Sequence, residues 1–238
     1  MMNIKGIIFD YGGTIDSRGV HWSEIIWDGY CEAGLDQVLT KDQFREAYVH
    51  GERELARVRH IMPNDTFLDI LVKKMNIQRA YLVANGLASP SQGQLSTITS
   101  HCYESARSCI EEARPVLENL AARYPMVLVS NFYGNVDAVL RDFDVRRYFR
   151  GIIESAVVGV RKPNPTIFRL GVDVLEMDAR DVLVVGDSLR KDIEPAESLG
   201  CQVLWLKGKG WTAAEDEQTH PNTITRVTQV TDWLTDKS

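Results

Sequence analysis

The sequence predicts an α/β fold: a doubly wound parallel sheet with a helical cap inserted near its start. Three observations lead there. Short apolar runs recur at residues 4–9, 126–129, 151–153, 182–185 and 202–206. Each is too short for a helix and apolar throughout, as strands covered on both faces are. Amphipathic stretches separate the later runs, and strand–helix alternation marks right-handed crossovers in a parallel sheet. Between the first and second runs lie roughly 95 residues in which helical spacing dominates.

The elements follow in order. Within the insert, Trp22, Ile25, Ile26, Tyr30 and Ala33 keep helical spacing. Thr40 and Gln43 form a capping-box pattern ahead of Phe44, Ala47 and Tyr48. Asn64 is placed to cap a helix carrying Phe67, Leu68, Leu71, Val72 and Met75. Residues 89–93 read as a loop, and Leu95, Ile98, Cys102, Ala106 and Cys109 make a further stripe. Residues 115–123 predict a helix with Pro115 in its first turn. Helices are also expected at 134–143, at 165–175 and at 192–199, the last stopped by Gly200. A strand near 223–227 and a helix near 230–234 close the chain. The expected division is residues 1–16 with 112–238 as the α/β core, and 17–111 as the cap.

Composition narrows the class. The 238 residues are 44% hydrophobic and 25% charged, with a net charge of −6, so neither nucleic acid nor an anionic membrane surface is an expected partner. No run approaches the ~18 apolar residues of a membrane span. The N-terminal apolar stretch is short and ends in Asp10, unlike a secretory signal, so a cytoplasmic location is expected. Cys31, Cys102, Cys109 and Cys201 form no Cys-x-x-Cys and no metal spacing with His, and they read as reduced core thiols.

In an open parallel sheet, ligands bind beyond the carboxyl ends of the strands. The first run ends in Asp10, followed by Tyr11-Gly12-Gly13-Thr14; the second ends in Ser130-Asn131. Gly159-Val-Arg-Lys162-Pro163 follows the third, and Gly186-Asp187-Ser188 ends the fourth, with Asp192 five residues beyond Asp187. Alone, each of these residues is an ordinary turn, cap or loop residue. In this order, at successive strand ends, they have a chemical logic. Crowded carboxylates raise one another's pKa values unless a cation joins them, and hard oxygens suit Mg²⁺. With Lys162 and a serine hydroxyl, such a site holds the oxygens of a phosphoryl group.

FDYGGTI, VLVSN, Lys162-Pro163 and VVGDSLRKDI resemble the four motifs of the haloacid dehalogenase superfamily. The flanking ARPVLENLAARYPMVLVSN and RKPNPTIF are similar as well. The resemblance covers about residues 1–16 and 112–207, and the insert sits where members with a helical cap carry theirs. It implies strand order 3-2-1-4-5, with the strand of Asp10 central. It further implies a hydrolase with Asp10 as nucleophile and Mg²⁺ ligand, the Gly12 carbonyl, Asp187 and Asp192 at the metal, and Ser130 and Lys162 on the phosphoryl oxygens. Gly13, Thr14 and Asn131 complete the expected substrate-binding set. The expected substrate is a small phosphorylated metabolite.

One departure matters. Phosphatases of this superfamily carry a second Asp at the position of Gly12, where it protonates the leaving group and then activates water. Loss of such an acid–base group costs about 10²–10⁴ in rate. Tyr11, Asp16 and His21 are the nearby groups that could act instead. A weakly active or inactive phosphate-binding module, a dehalogenase and a phosphonatase remain as alternatives. The last needs a Schiff-base lysine from the cap, and nothing in the sequence marks Lys41, Lys73 or Lys74 as buried. Arg53 and Arg57 share a helix face, either as a solvated surface or as a contact for an anionic substrate.

Overall fold

The computed structural model describes residues 4–237, among which six strands and ten α-helices are arranged as the sequence pattern requires. Strands β1 (Gly6–Phe9), β2 (Met126–Ser130), β3 (Gly151–Glu154), β4 (Val182–Gly186), β5 (Gln202–Leu206) and β6 (Thr223–Ile224) pair in the order β3-β2-β1-β4-β5-β6, every pair parallel. β1, β2 and β4 are buried along their whole length, which is why they read as continuous apolar runs rather than alternating ones.

The period-2 geometry of a strand sends neighbours to opposite faces. Ile8, Val127, Val129, Val184 and Val203 pack on one face against Ile167, Phe168 and Val172 of α7 (Thr166–Leu175). Ile7, Phe9, Leu128, Val185 and Leu204 face the other way, into a core shared with Val136, Val139 and Leu140 of α5 (Val136–Asp142) and Val230 of α10 (Gln229–Lys237). The second core continues into the helical segment, so sheet and cap are packed as one apolar body. The short helices α6 (Ser155–Val158), α8 (Glu194–Ser198) and α9 (Ala213–Asp216) complete the α/β part.

The cap comprises α1 (Trp22–Glu32), α2 (Lys41–Arg57), α3 (Phe67–Ala84) and α4 (Gln92–Ala121). The capping box of Thr40 and Gln43 forms as expected. Two expectations need correction. Thr66, not Asn64, caps α3, because Thr66 and Asp69 exchange side-chain and backbone hydrogen bonds. Pro115 does not open a new helix: α4 runs through it for 30 residues. Leu95, Ile98, Cys102, Ala106, Ile110, Ala113, Leu117 and Leu120 keep one buried stripe on both sides of the proline, and that packing outweighs the one backbone donor the proline removes. All four cysteines are free thiols. Among the described residues, no helix is long and apolar enough to cross a membrane.

Candidate active site

β1 is flanked by β2 and β4, so chain crossovers leave it in opposite directions and open a crevice at its carboxyl end. Asp10 stands there directly after Phe9. Asp187 follows β4, and Asp192 sits in the single π-turn of residues 189–193 that leads into α8. One oxygen of each carboxylate lies within 4.8 Å of the others. Lys162, from the loop before α7, places Nζ 2.5 Å from Asp10 Oδ1 and 2.6 Å from Asp192 Oδ1, with side chains 2–6% exposed.

Glycines make this crowding sterically feasible. Gly13 has φ +101°, and a Cβ there would stand 2.4 Å from the Asp187 carboxylate; a Cβ on Gly186 would stand 2.4 Å from Asp192 Cβ and 2.6 Å from its carboxyl carbon. Gly13→Ala combines a left-handed backbone with this clash. We expect it to destabilise the fold by at least ~1 kcal/mol and to displace Asp187, weakening divalent-metal binding. A metal-dependent thermal shift equal to wild type would contradict this.

The other expected residues take distinct places. The Thr14 hydroxyl lies 3.2 Å from Asp10 Oδ2 and 3.2 Å from Asp187 Oδ1, bridging the two carboxylates rather than facing the cavity. Asn131 Oδ1 accepts from Lys162 N at 2.9 Å, and its Nδ2 donates to Lys162 O at 3.1 Å. Its amide thus fixes the backbone that presents the lysine. Ser130 is buried at the end of β2. Asp10, Gly12, Gly13, Asn131, Lys162, Asp187 and Asp192 all line one cavity of about 140 Å³.

Electrostatics reflect an excess of carboxylate. Burial, then Asp192 and Asp10, push the Asp187 carboxyl well above the usual range. Burial also raises Asp192, against the pull of Lys162. Burial pushes the pKa of Lys162 down, but Asp10 and Asp192 outweigh it and hold the ammonium charged. Three carboxylates against one ammonium form an all-oxygen donor set that fits a divalent cation.

Of the three groups near Gly12, Tyr11 is fully buried and packs edge-on against Phe132. Asp16 accepts from Gly13 N (2.7 Å) and Trp22 Nε1 (3.1 Å) and does not line the cavity. Burial raises its pKa from 3.8 to about 7, with the two hydrogen bonds opposing and Asp10 adding. Between those values the folded chain keeps a proton that the unfolded chain has released, so this group's contribution to stability falls as pH rises through the window. Asp16→Asn should flatten the decline, measured as denaturation midpoints across about pH 4–7; an unchanged slope would remove Asp16 as its source. His21 does line the cavity. Its Nδ1 accepts from Ser23 N at 3.2 Å, capping α1, while burial and then Lys191 lower its pKa to about 4.

A larger chamber of about 620 Å³ adjoins the first and shares His21, Tyr48 and Asp187 with it. The basic segment divides here. Arg57 pairs with Glu54 on the surface, whereas Arg53 lines the chamber. Trp22 lines the smaller cavity and packs on Phe67; Trp27 packs on Phe44. Lys74 is buried, which nothing in the sequence marked: Glu52 meets it at 2.7 Å and Tyr48 and Tyr133 enclose it. Burial works against its charge, but Glu52 prevails and raises its pKa well above the ordinary value. Arg161, Arg190, Lys191 and Trp211 also line the chamber; Arg190 and Lys191 stand inside the fourth motif, where adjacency was the one available signal.

The description "haloacid dehalogenase-like hydrolase" matches residues 4–200 of this chain. A glyceraldehyde 3-phosphate phosphatase of Pyrococcus abyssi is 32% identical over 91 residues, 38% of this chain and 38% of its own length, so the alignment spans well under half of that relative. A phosphoglycolate phosphatase of Vibrio parahaemolyticus is 28% identical over 206 residues, 86% of this chain and 84% of that one. Among solved structures, the HAD-hydrolase YfnB of Bacillus subtilis, bound to magnesium, superposes with TM-score 0.58 at 17% identity, covering 98% of this chain and 99% of that one. The last likeness concerns the fold. The family match is broader in meaning, since it runs through every strand end that contributes to the carboxylate–lysine cluster, and by it this chain belongs to the haloacid dehalogenase-like hydrolases.

Proposed function

We propose that this protein is a Mg²⁺-dependent phosphohydrolase of a small phosphorylated metabolite, acting through an aspartyl-phosphate at Asp10. The observation that carries the reading is the convergence of three carboxylates on one buried lysine beside a cavity. The phosphatases among the relatives act on glyceraldehyde 3-phosphate and phosphoglycolate by name, which supports the substrate class.

In this reading, residues 17–111 form the cap over a core of 1–16 and 112–238, with α4 running continuously across that boundary. Asp10, the Gly12 carbonyl, Asp187 and Asp192 would hold the ion. Bound there, Mg²⁺ supplies positive charge that offsets the carboxylates and the non-bridging phosphoryl oxygens. Lys162 adds charge on the other side of Asp10 and fixes that carboxylate for attack on phosphorus. Gly13, Thr14, Ser130 and Asn131 shape the phosphoryl pocket, in part by positioning Asp10 and Lys162. Water then attacks the aspartyl-phosphate and phosphate leaves. C–P cleavage through a Schiff base would need a neutral cap amine, and Glu52 keeps Lys74 charged.

The test is hydrolysis of p-nitrophenyl phosphate with Mg²⁺ and with a chelator. Turnover that depends on the metal supports the reading. Turnover indifferent to chelation, or no turnover of any phosphoryl substrate, rejects it.

A further inference from the structure

A phosphatase without an acid at Gly12 must either supply one from elsewhere or act on substrates that need none. Space is not what excludes the acid: a Cβ at Gly12 would meet nothing within 4 Å. The neighbouring groups do not fill the role. Tyr11 faces away from the cavity into apolar packing, and Asp16 is committed to Gly13 N and Trp22 Nε1. His21 faces the cavity, but its Nδ1 accepts a hydrogen bond, which puts the neutral ring's proton on Nε2. Such a ring can donate a hydrogen bond to a bound oxygen. It holds no acidic proton to hand over, and burial keeps it in that neutral form. Lys162 is tied to Asp10 and Asp192.

The second observation is independent of Gly12. Arg53, Arg161, Arg190 and Lys191, all solvent-exposed, line the adjoining chamber without an ion pair or side-chain hydrogen bond among the described residues; Lys191 also lines the smaller cavity, where its charge acts on Asp187. Of the chamber's acids, Glu52 is engaged with Lys74 and Tyr133 and Glu215 with the Trp211 backbone, while Asp187 belongs to the carboxylate cluster. In a chain of net charge −6, four exposed cations at the cavity adjoining that of the nucleophile give an anion a positive surface to meet.

We propose that the substrates are phosphoryl anhydrides, whose leaving group departs as a stable anion into this cationic chamber without being protonated. The inference rests on the phosphohydrolase reading and names its substrate class. In the first step an Asp10 carboxylate oxygen bonds to phosphorus and the anhydride P–O bond breaks. Its electron pair stays on the leaving oxygen, which departs as carboxylate from an acyl phosphate or as phosphate from a diphosphate. In the second step water bonds to phosphorus, the P–O bond to Asp10 breaks, Asp10 recovers its carboxylate, and both water protons leave on dihydrogen phosphate. Neither step requires a side-chain acid.

The test compares kcat/KM for acetyl phosphate, ADP, p-nitrophenyl phosphate and glycerol 2-phosphate with Mg²⁺, in wild type, Gly12→Asp and Lys191→Met. At least one anhydride should exceed glycerol 2-phosphate by about 100-fold or more, and Gly12→Asp should raise the glycerol ester rate by about 10²–10⁴. Preference for acetyl phosphate assigns a carboxylate leaving group; preference for ADP assigns a phosphate one. Equal use of ester and anhydride by wild type overturns the proposal and leaves the phosphohydrolase reading intact. So does a selective loss of the glycerol ester in Lys191→Met, which would identify Lys191 as the acid. No turnover of any of the four overturns both.

Discussion

Asp10→Asn is expected to lower p-nitrophenyl phosphate turnover by on the order of 10⁴ or more, as removal of a nucleophile does elsewhere. The chain should nevertheless remain folded. Asn keeps the shape of Asp and can still accept from Lys162, while one of three crowded carboxylates is neutralised. Without metal, the variant's melting temperature should therefore stay at or above that of wild type, since like-charge repulsion is relieved. With Mg²⁺, wild type should gain stability and the variant should gain less, because one ligand has become neutral. Parallel melts with Mg²⁺ and with a chelator measure both effects. A folded Asp10→Asn protein with wild-type turnover would remove Asp10 from the chemistry.

Lys162→Met is expected to produce the largest loss of stability. The ammonium is buried, paired at 2.5 and 2.6 Å with Asp10 and Asp192, and lies over the Phe168 ring at 5.4 Å. Breaking a buried pair from one side costs about 3–5 kcal/mol, because the partner charge stays buried without compensation. Here two partners are abandoned beside a third carboxylate. For a chain of this size the loss corresponds to a melting-temperature drop of roughly 10 °C. Mg²⁺ should restore more stability to this variant than to wild type, since its charge offsets the carboxylates that Lys162 no longer balances. A drop under about 2 °C without metal would show that Lys162 does not balance the cluster.

The sequence makes the sheet and the convergence at its edge legible because both are local. A strand buried on two faces must be apolar along its length, and the residue that ends it must stand at the crevice; Asp10, Ser130 and Asp187 follow from that alone. Lys162 comes from the loop before α7 and Asp192 from the π-turn before α8; in sequence they stand only as polar residues following the third and fourth runs, and the resemblance to known motifs gives them their roles. What is not legible depends on distant partners. Nothing in the sequence marks Lys74 as buried until Glu52, two helix turns down α2 from Phe44, is brought to it. Arg53 and Arg57 are indistinguishable in sequence, yet one pairs on the surface and the other lines the chamber. Pro115 carries a strong local signal for a helix start, and tertiary packing along α4 overrides it.

That continuity has a mechanical consequence. Gln92–Ala121 is a single rod about 45 Å long, held between α1 and α3 near its start and leading into β2 at its end. Pro115 removes the amide that would donate to the Glu111 carbonyl, so the rod is softest there. The arm from Pro115 back to Gln92 is about 35 Å, so a bend of only ~10° at the proline sweeps its far end through roughly 6 Å. A bend there would carry the N-terminal arm of α4 together with α1 and α3, which pack on it, so an angular change of a few degrees at one residue corresponds to a displacement the size of a phosphate group at the far end of the cap.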